Sequence, residues 1–387
     1  MSFDSTSIDL LSRLVSFNTV INRSNLEAIY FIRDYLAGHG VSSELIFDET
    51  GQKANLFATI GASERPGIVL SGHIDVVPIE GQEWSRDPFS LTPEGDRLYG
   101  RGTTDMKGFI ACVLAAVPKM TAASLNIPLH LAISYDEEVG CLGVHGLIEH
   151  MDRTVAKPIA ALVGEPTMMN IVDGHKGSCG LLTEVEGLAC HSSRVDQGVN
   201  AIFYATDIIS EIRRCADELI NTPEVGSRFE LPFTSVSVGV IQGGTARNAV
   251  PGDCAFQWDI RATRPGVSTQ VQERVSSFVD HSILPRMRER HPGSRVTTKV
   301  IYDVPPLVPD AGSTAELLAK SLAGRNDTST VNYGSEAGIF QAAGIPAVLC
   351  GPGRDSEAHI TDEWISADQL QQCMSFLDRL IVYAEQA

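Results

Sequence analysis

The chain has 387 residues, of which 43% are hydrophobic and 20% charged, and this globular composition excludes a disordered or fibrous protein. At roughly 100–200 residues per domain, the length predicts two or three domains. The 48 acidic and 30 basic residues give a formal net charge of −18. This charge argues against nucleic acid or an anionic membrane surface as a partner, because both require a basic patch.

The cysteines and the N-terminal residues indicate the compartment. The eight cysteines are scattered, without a C-x-x-C pair, and several, such as Cys112 and Cys350, lie in apolar runs where a thiol behaves as a small buried hydrophobe. Residues 1–9 have neither a basic start nor an apolar run, which argues against a secretory signal. No stretch approaches the roughly 18 apolar residues of a membrane-spanning helix. We therefore expect a cytoplasmic protein.

The predicted elements begin with two helices, because apolar residues recur at helical spacing over residues 5–17 and 25–39. Four β-rich runs and one apolar helix follow: strands at 56–60, 68–70, 129–134 and 159–163, and a helix from 108 to about 117. This alternation predicts an α/β domain built on a mixed, largely parallel sheet with helices on both faces.

The pattern changes near residue 177 to that of an α+β module. Its predicted elements are strands at 181–186, 234–241, 255–260 and 294–301, and helices at 199–213 and 267–288. Three prolines within residues 304–309 indicate a hinge, after which the α/β pattern returns with a helix at 313–322, a strand at 347–350 and a helix at 367–384. We therefore predict a first domain of residues 1–177 and 308–387, interrupted by an inserted domain of residues 178–307.

Five short segments carry side chains typical of catalytic sites. In Ser71-Gly72-His73-Ile74-Asp75, the last two polar residues point to the same side of a strand, so Asp75 can orient a metal-binding His73. A glycine-rich loop over residues 100–108 presents Asp105. The other three segments follow predicted strands: Asp136-Glu137-Glu138, Gly164-Glu165 and Glu357-Ala358-His359.

Taken alone, each segment can also be explained by a structural role without catalysis. The H-x-D pair can be incidental, Asp105 fits the N-cap of the following helix, and acids after a strand can be solvated turn residues. Together, however, they lie at strand ends, where open α/β sheets bind ligands. Two histidines with carboxylates and no cysteine suit Zn²⁺, Co²⁺ or Mn²⁺. The set is large enough for two metals that share one acid, with another carboxylate left as a base.

The five segments in this order resemble the M20 metallopeptidase and deacylase family, over essentially the whole chain. The resemblance implies a catalytic domain with an inserted dimerisation (lid) domain, and two Zn²⁺ per subunit for which Co²⁺ can substitute. It implies one metal held by His73, Asp105 and Glu165, and another held by Asp105, Glu138 and His359. It also implies that Glu137 is the general base, that Asp75 orients His73, and that the peptide bond after the bridging Asp105 is cis.

Within the family, residues 332–340 and 350–353 resemble the acetylornithine deacetylases, whereas desuccinylases usually have Ser-Asp where this chain has Ser335-Glu336. The resemblance implies hydrolysis of the amide of an N-acyl amino acid by metal-activated water, above all N-acetyl-L-ornithine in arginine biosynthesis. Succinyl-diaminopimelate desuccinylase, aminoacylase and dipeptidase activities are the alternatives within the family. A non-catalytic metal-dependent binding protein is the alternative from another class.

The inserted domain contributes further candidate residues. The segment 187–193 matches the family except at Ala189-Cys190, where a glycine is common. The match implies that His191 stabilises the oxyanion from the partner subunit of a homodimer, although a histidine beside serines in a turn is usually a surface residue. Asn248 and Arg261 resemble substrate contacts, and a guanidinium fork suits a carboxylate, although both also fit solvated strand ends. Gly334 and Ser335 are the remaining substrate-binding candidates.

Overall fold

The computed structural model describes residues 5–386. Up to residue 175 the chain forms four helices and eight strands, in the order α1 (Ser5–Val15), α2 (Leu26–Gly38), β1 (Ser43–Phe47), β2 (Ala54–Ile60), β3 (Ile68–His73), β4 (Thr92–Glu94), β5 (Arg97–Tyr99), α3 (Gly108–Ala122), β6 (Leu129–Ser134), α4 (Val144–Thr154), β7 (Ala160–Pro166) and β8 (Val172–His175), counted over the described residues. The predicted helices and strands of this part of the chain are therefore present, together with several that the sequence interpretation missed.

The middle and final parts of the chain contain the remaining helices and strands. The middle part contains β9 (Ser178–Glu186), β10 (Cys190–His191), α5 (Ala201–Asn221), β11 (Ser235–Gly243), β12 (Ala249–Val250), β13 (Asp253–Arg261), α6 (Val267–Phe278), α7 (Leu284–Arg290) and β14 (Arg295–Val304). The final part contains α8 (Thr314–Ala323), β15 (Ser329–Val331), α9 (Ala337–Ala342), β16 (Ala347–Gly351), β17 (Trp364–Ser366) and α10 (Ala367–Gln386).

These elements form two units. The first comprises the described chain up to Gly174, Leu307–Ser329 and the described chain from Ser335 onward. The second comprises His175–Pro306 and the short segment Thr330–Gly334. Among residues 5–386, no helix combines the length and the apolar character that a bilayer-spanning segment needs.

The first unit is built on an eight-stranded mixed sheet in the order β1-β2-β6-β3-β7-β16-β8-β15. Its four central strands, β6, β3, β7 and β16, pair in parallel, whereas β1 and β2 extend the sheet by antiparallel pairing. The predicted mixed, largely parallel α/β fold is therefore confirmed. Parallel strands bring their carboxyl ends to one edge of the sheet, and this edge carries the candidate site.

Helix α3 is apolar around its whole circumference, and every residue from Gly108 to Val117 is buried. It packs against α1 and α10. Its predicted end near residue 117 is wrong, because the helix continues past Pro118 to Ala122. A proline inside a helix removes one backbone donor, but the buried Val117 and Met120 on either side hold the last turn in the core.

The second unit contains an antiparallel sheet in the order β11-β13-β9-β14. Burial alternates along β13, with Cys254, Phe256, Trp258 and Ile260 facing the core, as expected for a sheet with one covered face. The single helix predicted over residues 267–288 is wrong. The structure divides it into α6, a wider turn at Val279–Ile283, and α7. Pro285 lies in the first turn of α7, where its missing N–H is tolerated.

Burial of His130 in β6 makes the stability of the first unit depend on pH. The ring is fully buried, Nδ1 lies 2.9 Å from Thr59 Oγ1, and Nε2 has no hydrogen-bond partner among the described residues. Burial lowers the pKa of His130 to about 4, whereas in the unfolded chain it is near 6.5. Between these values only the unfolded chain binds the proton, so stability is lost as the pH falls.

We therefore expect acidification from pH 7.5 to 5 to lower the free energy of unfolding by about 2 kcal/mol through His130 alone. Replacement by a side chain that does not titrate, His130→Gln, removes this contribution. Chemical denaturation of both proteins at several pH values measures the difference. Equal losses of stability in the wild type and the variant would contradict this account of His130.

Candidate active site

Asp105 lies between two histidines. Its Oδ1 is 2.9 Å from His73 Nε2, and its Oδ2 is 3.2 Å from His359 Nε2. Glu138 Oε1 is 3.0 Å from the same His359 nitrogen. Each oxygen of one carboxylate therefore faces a different imidazole, which is the arrangement that a carboxylate shared by two cations requires.

The sheet edge explains how these side chains meet. His73 is the last residue of β3, Glu165 lies near the end of β7, and Glu138 follows β6. Asp105 lies in a tight turn immediately before α3, and the Asp105–Met106 peptide bond is cis, as expected. Gly102 begins this turn with φ of +79°, and a Cβ there would lie 2.7 Å from Val76 Cγ1, so a larger residue does not fit.

Asp75 holds two neighbours through different atoms. His73 Nδ1 lies 3.0 Å from the backbone carbonyl oxygen of Asp75 and 3.6 Å from its carboxylate Oδ1. The other carboxylate oxygen, Oδ2, accepts the backbone N–H of Glu138 at 3.1 Å. Among the atoms of Asp75, the carbonyl oxygen thus lies nearest to the His73 ring, while the carboxylate fixes the Glu138 backbone.

The glutamates share a buried, strongly acidic environment. Burial, together with the charges of Glu138 and Asp105, raises the pKa of Glu137 well above its usual range. Burial and the charge of Asp105 raise the pKa of Glu138 to about 7, although the hydrogen bond to His359 acts in the opposite direction. Burial and the charge of Glu137 similarly raise the pKa of Glu165.

The pKa values of the two histidines are raised as well, but for an imidazole a raised pKa favours the positively charged form. Hydrogen bonds to Asp105 and Glu138 raise the pKa of His359 to about 11. Burial lowers the pKa of His73, but hydrogen bonds to Asp105 and Asp75 outweigh it and hold that pKa well above the usual range. Burial also opposes ionisation of Asp105, yet the two histidines keep its pKa well below the usual range. Positive charge is therefore strongly favoured in this pocket.

These residues fit divalent metal ions. Two groups of three have ligand atoms within 4.8 Å of one another: His73, Glu137 and Glu165, and His73, Asp105 and Glu138. Glu165 Oε1 is buried and accepts no hydrogen bond from the described residues, so it has a lone pair to offer. Carboxylates and imidazoles without a thiolate suit Zn²⁺ and related ions. Because its carboxylate belongs to the first of these groups, Glu137 also lies where a metal ligand could lie.

The structure adds neighbours that the sequence interpretation missed. The Cys141 thiol donates to Glu137 Oε1 at 3.3 Å, and Lys53 Nζ lies 2.5 Å from Asp136 Oδ1 beside it. Glu336, fully buried, accepts from Ser71 Oγ at 2.9 Å. A buried pair, Arg101 and Glu363, holds the turn that carries Asp105. Ser71, Arg101, Asp136 and Glu336 lie within segments that the sequence singled out, but the sequence does not show these contacts.

The remaining candidate residues lie apart from this cluster in the chain. Ser335, in the first unit, is fully buried, and its Oγ accepts the N–H of Ala337 at the start of α9. In the second unit, His191 is exposed, and its Nδ1 accepts the N–H of Ser193 at 3.1 Å. Asn248 is its neighbour, because the Ser192 N–H donates to the Asn248 carbonyl.

Two further candidates belong to the second unit. Arg261 ends β13, and its Nε donates to Asp259 Oδ1 at 3.0 Å. Gly334 lies close to the backbone of Lys176, because a Cβ at this position would lie 3.2 Å from the Lys176 carbonyl oxygen. Each of these contacts is local to the unit that contains it.

Comparison with known sequences finds one matching family and relatives that share one name. The model of peptidase family M20/M25/M40 matches residues 69–383. An acetylornithine deacetylase of Myxococcus xanthus is 34% identical over 383 residues, covering 96% of each chain. An acetylornithine deacetylase of Pasteurella multocida (strain Pm70) is 32% identical over 368 residues, covering 95% of this chain and 93% of that one.

Solved structures share the fold. An M20 family metallo-carboxypeptidase from Sulfolobus solfataricus superposes with a TM-score of 0.75 at 18% identity, over 98% of this chain and 99% of that one. A tripeptidase from Staphylococcus aureus superposes with a TM-score of 0.73 at 20% identity, over 99% of both chains. With the family match over most of its length and the cluster of histidines and acids at the sheet edge, the chain belongs to peptidase family M20/M25/M40 and is a metal-dependent amidohydrolase.

Proposed function

We propose that this enzyme hydrolyses the amide bond of N-acyl amino acids, with N-acetyl-L-ornithine as its principal substrate and L-ornithine and acetate as products. The observation that carries the proposal is the position of Asp105 between two histidines, surrounded by buried glutamates. The choice of substrate is supported by two relatives, 34% and 32% identical, that are named acetylornithine deacetylases. A role in arginine biosynthesis in the cytoplasm follows from that choice and belongs to the proposal.

The proposed site holds two divalent ions, zinc by preference with cobalt as a substitute. His73, Asp105 and Glu165 would hold one, and Asp105, Glu138 and His359 the other. When bound, such ions polarise the scissile carbonyl and lower the pKa of the attacking water. The raised pKa values of the three glutamates support this proposal, because nearby cations would offset the repulsion among the buried carboxylates.

The side chains of this chain supply the proton transfers. Glu137 would accept a proton from the attacking water at its carboxylate and deliver it to the nitrogen of the leaving amine. The Asp75 carbonyl accepts a hydrogen bond from His73 Nδ1 and so orients the ring, leaving Nε2 directed toward Asp105. His191 would donate to the developing oxyanion. Arg261 and Asn248, with Gly334 and Ser335, would bind the amino-acid portion of the substrate.

We also propose a homodimer in which each subunit lends His191 to the active site of its partner. Strand β11 supports this proposal, because it lies at the edge of its sheet and exposes Val240 and Ile241. Helix α5 packs against β11 and exposes Phe203 to 69%. An unpaired strand edge with exposed apolar side chains is a typical surface for association with another chain.

Replacement of the proposed base tests its role. We expect Glu137→Gln to lower kcat by about 10²–10⁴-fold, because an amide of the same size cannot accept the proton. The metal content after dialysis should equal that of the wild type. Glu149→Gln, a change at an exposed position of α4, is the matched control and should leave both quantities unchanged. A parallel loss of metal would instead make Glu137 a ligand.

A substrate panel tests the reaction. Product release from N-acetyl-ornithine, N-acetyl-methionine, N-succinyl-diaminopimelate and a dipeptide is measured with Zn²⁺, with Co²⁺ and after chelation. We expect kcat/KM for N-acetyl-ornithine to exceed the others by at least about tenfold, or ~1.4 kcal/mol, and chelation to abolish it reversibly. Preference for another amide would refute the substrate, and no hydrolysis with either metal would refute the function.

Mixed dimers test the source of His191. His191→Ala and Glu137→Gln are each expected to be nearly inactive, but co-expression produces dimers that contain one chain of each. If His191 acts across the interface, one site of each mixed dimer is intact, and random pairing restores roughly a quarter of wild-type activity. No restoration in purified, doubly tagged mixed dimers would show that His191 does not act in the partner's site.

A further inference from the structure

A buried ion pair lies behind the proposed metal site. Arg101 Nη1 donates to Glu363 Oε2 at 2.9 Å, and both side chains are only 1% exposed. Removing two charges from water carries a large desolvation cost, so such a pair is weak evidence for stability. Its hydrogen bonds indicate instead that the pair positions particular segments of the main chain.

The carboxylate of Glu363 accepts four hydrogen bonds. Its Oε2 also accepts the backbone N–H of Gly102 at 2.9 Å, while Oε1 accepts those of Thr104 at 2.9 Å and Asp105 at 3.1 Å. Three of the four donors are thus main-chain groups of the turn that carries Asp105. One of them is the N–H of Asp105 itself, so the backbone of this residue is fixed directly.

Arg101 extends the same network to the segment that carries His359. Its Nη1 also donates to the Ile360 carbonyl at 3.4 Å, and its Nη2 donates to Gln82 Oε1 at 2.5 Å. Gln82 Nε2 in turn donates to the His359 carbonyl at 2.9 Å. The ion pair therefore connects the main chain at Asp105 with the main chain at His359.

We propose that Glu363 is a positioning residue. Together with Arg101 it fixes the main chain at Asp105 relative to the main chain at His359, and so sets the affinity for one of the two metals. This inference rests on the proposed metal site. The metal assigned to Asp105, Glu138 and His359 draws two of its three ligands from the connected segments. The other metal draws only Asp105 from them, so a defect at Glu363 should affect the two ions unequally.

Glu363→Gln keeps the size of the side chain but replaces one acceptor oxygen with an amide donor. Whichever way the amide is turned, two of the four donors then lose their acceptor. We expect metal-free Glu363→Gln to retain one tight equivalent of Zn²⁺ and to bind the second about 10–100-fold more weakly than the wild type. Calorimetric titration with Zn²⁺, and the visible absorption of the Co²⁺ protein, measure the two steps without reference to activity.

Glu316→Gln is the matched control. Glu316 is also buried, at 6% side-chain exposure, and it accepts from Lys320 Nζ and from the Gly312 N–H in and before α8. No hydrogen bond joins it to Asp105 or His359 among the described contacts. We expect this variant to lower the melting temperature while leaving both metal-binding steps unchanged, which separates positioning from general destabilisation.

The outcomes are distinguishable. Two binding steps of wild-type affinity in Glu363→Gln would overturn the inference, and so would equal weakening by Glu316→Gln. If circular dichroism shows that Glu363→Gln does not fold, Arg101→Lys decides the matter, because it keeps the charge but loses the fork that reaches Ile360 and Gln82; unchanged metal binding there would overturn the inference. Failure of the wild type to bind two ions would instead refute the proposed two-metal site on which this inference rests.

Discussion

The first unit depends on one electrostatic constraint, which is that four largely buried carboxylates lie close together and close to two imidazoles. Burial disfavours every ionised carboxylate, and only Asp105, which faces both histidines, has its pKa held low without a cation. The parallel sheet, the turn before α3 and the fully buried Glu363 all serve to keep these groups at hydrogen-bonding distance. The architecture supports a concentration of negative charge that isolated segments would not tolerate.

Much of this arrangement could be predicted from the sequence. The run 129–134 predicted β6 at its observed bounds, and parallel strands necessarily bring their carboxyl ends together, so acids after β6 and in β7 had to lie near His73. Helix α4 was missed although Val144, Leu147, Ile148 and Met151 show helical spacing. Strand β1 is a half-exposed edge strand, whose pattern of burial gives little signal.

Other features depend on tertiary structure. Glu363 occurs in Asp-Glu-Trp, a sequence that resembles any solvated turn, and its burial follows from chain segments more than 250 residues away. The sequence predicted contact between the Asp75 carboxylate and the His73 ring, but the Asp75 atom nearest to that ring is the carbonyl oxygen. Side-chain chemistry indicates which residues can meet, whereas the path of the main chain decides which atoms do.

The discontinuity of the first unit has a consequence for biosynthesis. His73, Asp105, Glu138 and Glu165 are translated before the second unit, whereas His359 is translated after it. Domains usually fold as units during synthesis, so the second unit can fold while the sheet of the first still lacks β16 and the histidine that follows it. A nascent chain therefore carries the acidic part of the proposed site without His359 until late in translation. The complete site forms only when distant segments of the chain come together, the kind of step that slows folding.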